Sequence, residues 1–116
     1  SRDTLVMRYL PPDHEIRLEQ IYENMRQRNT LAQYVESWQD LESAMLFAQL
    51  EYKDSQKVSR FIKGMRDKEE SYKVLHVRPQ KLEEAYQEVM AIVRNKLLHG
   101  GAYSEDRGRK PPRRAR

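Results

Sequence analysis

The sequence predicts an all-α protein, a compact bundle of about five helices followed by a disordered basic tail. Three observations predict it. In five separate segments apolar residues recur three and four positions apart, the spacing of one helical face. No segment alternates apolar and polar residues over a useful length, so strands are not expected. Pro11-Pro12, Pro79 and Gly100-Gly101 punctuate the segments as helix boundaries.

Residues 1–10 form a short lead in which Leu5, Val6, Met7, Tyr9 and Leu10 are apolar enough to pack. After Pro11-Pro12, Asp13 is a plausible N-cap for a first helix over about 14–27, whose stripe is Leu18, Ile21, Tyr22 and Met25. The second helix has the clearest start. Thr30-Leu31-Ala32-Gln33 fits a capping box, in which the Thr hydroxyl accepts from the backbone three residues on and the Gln side chain reaches back. Leu31, Tyr34, Val35, Trp38, Leu41 and Met45 follow as one face, and the helix is expected to end at about 46–50. Trp38, the single tryptophan, is the expected core anchor because its ring offers the largest apolar area.

Lys53-Asp54-Ser55 breaks that pattern and opens a third helix over about 55–66. Val58, Phe61, Ile62 and Met65 are its expected buried face, and Gln56, Lys57, Ser59, Arg60 and Lys63 its outer one. Gly64, near its end, suits close packing or a helix exit. A short fourth helix, about 68–76, presents Tyr72 and Leu75, with Val77 packing just after it. Gln80 opens a fifth, about 80–98, with Leu82, Ala85, Tyr86, Val89, Ile92, Val93 and Leu97 on its inner face.

At 116 residues and 13.9 kDa, the chain is sized for one domain. Hydrophobic residues make up 38% and charged residues 34%, a polar balance whose regular apolar spacing still argues against disorder throughout. No apolar run approaches the roughly 18 residues of a membrane span. Ser1-Arg2-Asp3-Thr4 lacks the apolar stretch of a signal peptide. Zero cysteines exclude a disulfide framework, a thiol nucleophile and a zinc knuckle, and four glycines leave no phosphate-cradling loop.

The net charge of +4 is unevenly placed. Residues 102–116 hold six basic residues (Arg107, Arg109, Lys110, Arg113, Arg114 and Arg116) and two acidic ones, which accounts for the whole excess and leaves residues 1–101 neutral. That tail lacks apolar periodicity and carries Pro111-Pro112, so it cannot offset an ordering cost of about 1–2 kcal/mol per residue. Its cations suit sequence-independent neutralisation of RNA phosphates.

Residue types that carry catalysis are present, but their spacing does not fit. His14, His76 and His99 have no histidine three or four positions away, so no metal or cofactor is expected. Glu69-Glu70 and Glu83-Glu84 are sequence neighbours that diverge by about 100° on a helix, and are expected to be solvated. Tyr22, Tyr34, Tyr72 and Tyr86 fall on the apolar stripes, which favours core over base-stacking roles. An enzyme is not expected.

Four stretches carry a family likeness. They are Arg8-Tyr9-Leu10-Pro11-Pro12-Asp13; the segment from Met25 and Gln27 through Thr30-Leu31, Tyr34-Val35 and Trp38 to Leu41; Phe61-Ile62-Lys63-Gly64-Met65; and Val77-Arg78-Pro79 with Leu82 and Ala85. In this order, over about residues 8–95, the chain resembles the Gag capsid protein of gypsy-type long-terminal-repeat retrotransposons, in its C-terminal lobe. The capsid domain of neuronal Arc, a domesticated Gag, shows the same layout. The second stretch is similar to the counterpart of the retroviral major homology region, in which Gln27, Thr30, Gln33, Tyr34 and Trp38 take the structural positions. The chain departs from the retroviral pattern with Arg28 after Gln27, Gln33 near the Glu position and Gln39 near the Arg position. A capping box in place of the internal polar network is therefore expected.

The resemblance implies residues 1–29 as the lead and last helix of the N-terminal lobe or linker, 30–101 as the C-terminal lobe, and 102–116 as a basic extension. It implies a capsid C-terminal-domain-like fold, with self-association into dimers and shells of cytoplasmic virus-like particles. The dimer contact would centre on Gln56, Ser59, Arg60 and Lys63 of the third helix, and the tail would lead toward RNA packaging. The alternatives are a domesticated protein–protein interaction module and an RNA-binding protein acting through its tail. Without its own lobe, the first helix must bury its stripe against residues 30–98 or another chain.

Overall fold

A computed structural model describes residues 13–100; the lead and the basic tail, with the packing and disorder expected of them, lie outside the described residues. Five helices follow one another: α1 (His14–Asn24), α2 (Leu31–Phe47), α3 (Asp54–Lys63), α4 (Lys68–His76) and α5 (Leu82–His99). No strand occurs among the described residues. The longest helix, α5, packs against α2, α3 and α4, while α1 packs against α2.

The core is centred on aromatic rings. Trp38 and Phe61 are fully buried, 5.8 Å apart between ring centroids and nearly perpendicular at 74°. Tyr22 of α1 meets Trp38 edge-on at 5.8 Å, and Tyr86 of α5 meets Phe61 at 5.4 Å. Such pairs add about 0.5–1.5 kcal/mol each beyond the burial of their area. Leu18 and Tyr22 join the same buried cluster as α2, α3 and α5, with Met25 packed against it, so these three residues of the α1 stripe find their partners inside the chain.

The helix ends follow from local hydrogen bonding. The expected capping box at α2 is present, with the Gln33 N–H donating to Thr30 Oγ1 at 3.2 Å and the Thr30 N–H to Gln33 Oε1 at 3.4 Å. At its far end Gln49 adopts a left-handed conformation (φ 60°). Its N–H donates to the Leu46 carbonyl at 3.1 Å and the Leu50 N–H to the Met45 carbonyl at 2.9 Å, a Schellman arrangement that caps the open carbonyls. Asp67 caps α4 by accepting from the Glu69 and Glu70 N–H groups.

Several expected details differ. Asp13 precedes α1 but its carboxylate pairs with Arg17 at 3.2 Å instead of capping. The first helix stops at Asn24 and the third at Lys63, each about three residues early, because the Gln27 N–H donates across to the Gly64 carbonyl. The fifth starts at Leu82, where Glu84 accepts from the Gln80 N–H at 2.7 Å and holds the preceding turn open. Ile21 is exposed on α1, and Leu97, 75% exposed, stands in solvent beyond the last core residue of α5, Ile92.

The fourth helix is rotated from its expected face. Tyr72 and Leu75 are 59% and 52% exposed, and Val77 is exposed too, while Glu70, Ser71 and Val74 turn inward. Val74, fully buried in the core, anchors this inward face, and Glu70, only 7% exposed, pairs there with Lys96 of α5. Glu70 is therefore not the solvated carboxylate its neighbours suggest. Lys57, on the expected outer face of α3, is likewise turned to Glu42, 3.7 Å away.

Two outcomes test this packing. Glu70→Ala, which removes the inward-facing carboxylate that pairs with Lys96, is expected to cost about 1–3 kcal/mol, against under about 0.5 kcal/mol for exposed Glu69→Ala, by urea denaturation. The second concerns alkaline pH. Burial keeps the Tyr86 phenol protonated well above the ordinary tyrosine value, and its 2.7 Å bond to Glu42 pushes the same way. Below about pH 10 both folded and unfolded states hold that proton, whereas above it only the unfolded state releases it. Stability is expected to fall as pH rises beyond about 10, and less steeply in Tyr86→Phe.

Candidate functional site

The homology-segment residues and the end of α3 converge on one joint. Tyr34 donates its hydroxyl to the Phe61 carbonyl at 2.7 Å and stacks on the Phe61 ring at 4.9 Å. Burial pushes the Tyr34 phenol far above its usual range, which keeps this donor in place. Gly64 lies against it. A methyl group built there collides with the Tyr34 hydroxyl and sits 2.7 Å from the Met25 carbonyl oxygen. The φ of −81° is open to any residue, so close approach, not backbone conformation, demands glycine.

Gln27, buried, completes the joint. Its backbone N–H donates to the Gly64 carbonyl at 2.7 Å, its Oε1 accepts from the Arg66 N–H at 3.0 Å, and its Nε2 donates to the Asn29 carbonyl at 2.9 Å. Arg66 closes the circle by donating to the carbonyls of Arg28 (3.1 Å) and Asn29 (3.2 Å). A polar network is thus present beside the capping box, built on Arg66 where the expectation placed none. Its partners lie 37–39 residues away in sequence, so local spacing carried no sign of it.

The four expected interface residues do not share one environment. Gln56, Ser59 and Lys63 are exposed on α3. Arg60 is half-buried and turned toward α1: it donates to the Glu23 carbonyl at 2.9 Å and lies 5.8 Å from the centroid of the Tyr22 ring. Glu23 is in the last turn of α1, where unsatisfied carbonyls concentrate negative potential, so a guanidinium is favoured there. Gln56 also accepts from the Lys53 N–H at 3.2 Å, at the start of α3.

The face of α3 borders two depressions. On one side Tyr22, Glu23 and Tyr52 form an open groove of about 410 Å³ with Gln56, Ser59 and Arg60. On the other, Val58, Ile62, Leu75 and Pro79 line an apolar groove of about 350 Å³, edged by Ser55 and Ser59. Leu75 enters the site through the rotation of α4, which the sequence pattern did not indicate. The nucleic-acid residues expected in the tail, Arg107 through Arg116, lie outside the described residues.

No three metal-ligating residues come together among the described residues. His76 Nδ1 lies 2.9 Å from the Tyr72 carbonyl, a bond within α4. No described helix is long and apolar enough to cross a membrane.

The sign of Gly64→Ala tests the joint. At an ordinary helix end with this φ, alanine stabilises by about 0.4–1 kcal/mol. Here the expected result is destabilisation of at least about 2 kcal/mol, smaller in a Tyr34→Phe background where the colliding hydroxyl is gone. Comparison of the chain with protein-family models, with curated proteins and with solved structures finds no match.

Proposed function

We propose that this chain carries a Gag capsid C-terminal lobe of the gypsy-type retrotransposon kind, a non-catalytic module that works by weak self-association. The observation that carries this reading is the meeting of the motifs on which the resemblance rests. Gln27, Tyr34, Phe61 and Gly64 come from two separate stretches and bond to one another, so their spacing has a common physical cause.

The contact surface is the exposed side of α3 with its apolar groove. Ser55 and Ser59 are small enough to admit a second helix closely, and Val58, Ile62 and Leu75 supply apolar area beside them. A two-fold contact of this kind repeats each residue across its axis, and shells are built from many such contacts. Its polar edge fits a small, reversible interface. Because Arg60 is engaged with Glu23, Lys63 is the cation that faces the partner copy. In this reading the six tail cations contact RNA separately, and particles assemble in the cytoplasm.

Sedimentation is expected to show a mass rising toward the dimer between about 10 µM and 1 mM, for a dissociation constant of about 100 µM. Ser59→Glu and Leu75→Lys, both at exposed positions, are each expected to hold the chain monomeric with an unchanged melting temperature. Removing residues 102–116 is expected to leave association intact and to weaken retention on RNA. A chain monomeric at 1 mM, alone and within a longer parent polypeptide, contradicts the proposal.

A further inference from the structure

Although residues 1–101 are neutral in total, their charge is segregated in space. Between the α1–α2 loop and the end of α3 lies a cleft of about 420 Å³ lined by Arg26, Arg60, Lys63 and Arg66, with Glu23 as its one carboxylate. Among the described residues the ion pairs are Arg17–Asp13, Lys57 with Glu42 and Asp54, and Lys96–Glu70; none takes a cation of the cleft. Asp67, next to Arg66, is committed to the N–H groups of Glu69 and Glu70.

Two of the guanidinium groups are already oriented. Arg66 spends one N–H of each terminal nitrogen on the Arg28 and Asn29 carbonyls, and Arg60 spends one on Glu23 and lies near the Tyr22 ring. An arginine has five N–H donors, so three remain on Arg66 and four on Arg60. Neutral carbonyls fix these side chains without cancelling their charge. A ligand that binds them therefore gains fork-like hydrogen bonds at reduced entropic cost. Arg26 and Lys63 are exposed at the cleft edge and add charge.

Four cations against one carboxylate exceed what a single carboxylate ligand would balance. We propose that this cleft is an anion site for closely spaced phosphate groups, whether of a free polyphosphate or of a nucleic-acid backbone. The site contains no residue of the tail and shares only Lys63 with the apolar side of α3, and its occupancy does not require self-association. Binding is charge-driven, so it weakens as salt rises.

The test is calorimetric titration of the full chain at low salt with tripolyphosphate and, separately, with an eight-residue oligouridylate. The Arg26→Glu/Lys63→Glu double variant is expected to bind at least tenfold more weakly, and Arg26→Lys/Lys63→Arg to bind like the parent. Arg113→Gln/Arg114→Gln in the tail is expected to leave tripolyphosphate binding unchanged. Amide shifts in the unaltered protein, expected at Gln27, Gly64, Met65 and Arg66, locate the ligand even if the charge-reversed variant fails to fold. Tripolyphosphate binding at these amides identifies free polyphosphate as sufficient; a response to oligouridylate alone identifies the nucleic-acid backbone. Failure of both anions to bind, or binding lost with the tail substitutions and unmoved by the cleft ones, overturns the proposal.

Discussion

Everything distinctive about this fold depends on one close approach, the contact of the Gly64 backbone with the Tyr34 ring and the Met25 carbonyl. It allows the Gln27 N–H to reach the Gly64 carbonyl, and the Gln27 side chain then reaches the Arg66 N–H. The loop before α2 and the turn after α3 become a single hydrogen-bonded unit. Inside it, the Tyr34–Phe61 stack continues into Trp38, Tyr22 and Tyr86, tying the polar joint to the apolar core.

This arrangement gives α3 two different sides. Toward α1, the joint draws Arg60 and Arg66 onto backbone carbonyls and leaves their charge uncancelled. Toward α4, small serines and apolar Val58 and Ile62 face Leu75 and Pro79. The proposed association and anion-binding surfaces adjoin on one ten-residue helix, with Lys63 bordering both. Charge neutralisation on one side would then ease the approach of a second copy on the other.

The helices themselves were legible because helical spacing and end signals are local. The capping box at Thr30–Gln33, the anchoring role of Trp38 and the close packing at Gly64 all follow from residue type and position. Partners distant in sequence were not legible. Glu70 reads as one of two adjacent solvated acids, yet it lies inward against Lys96 beside fully buried Val74, with Tyr72 and Leu75 outward. Arg60 reads as an outer residue, yet the end of α1 supplies a carbonyl for it. In both cases a long side chain lies on the border between faces, and its partner decides which side it joins. The neutral sum over residues 1–101 hid the basic cleft for a related reason, since a total says nothing of arrangement.

The most direct measurement is amide hydrogen exchange at Gln27 and Arg66, two backbone positions outside the helices. Bonded to the Gly64 carbonyl and to the Gln27 side chain, they are expected to exchange only on global unfolding, as slowly as the centre of α2. Exchange at the rate of an open loop, while α2 stays protected, would contradict the account.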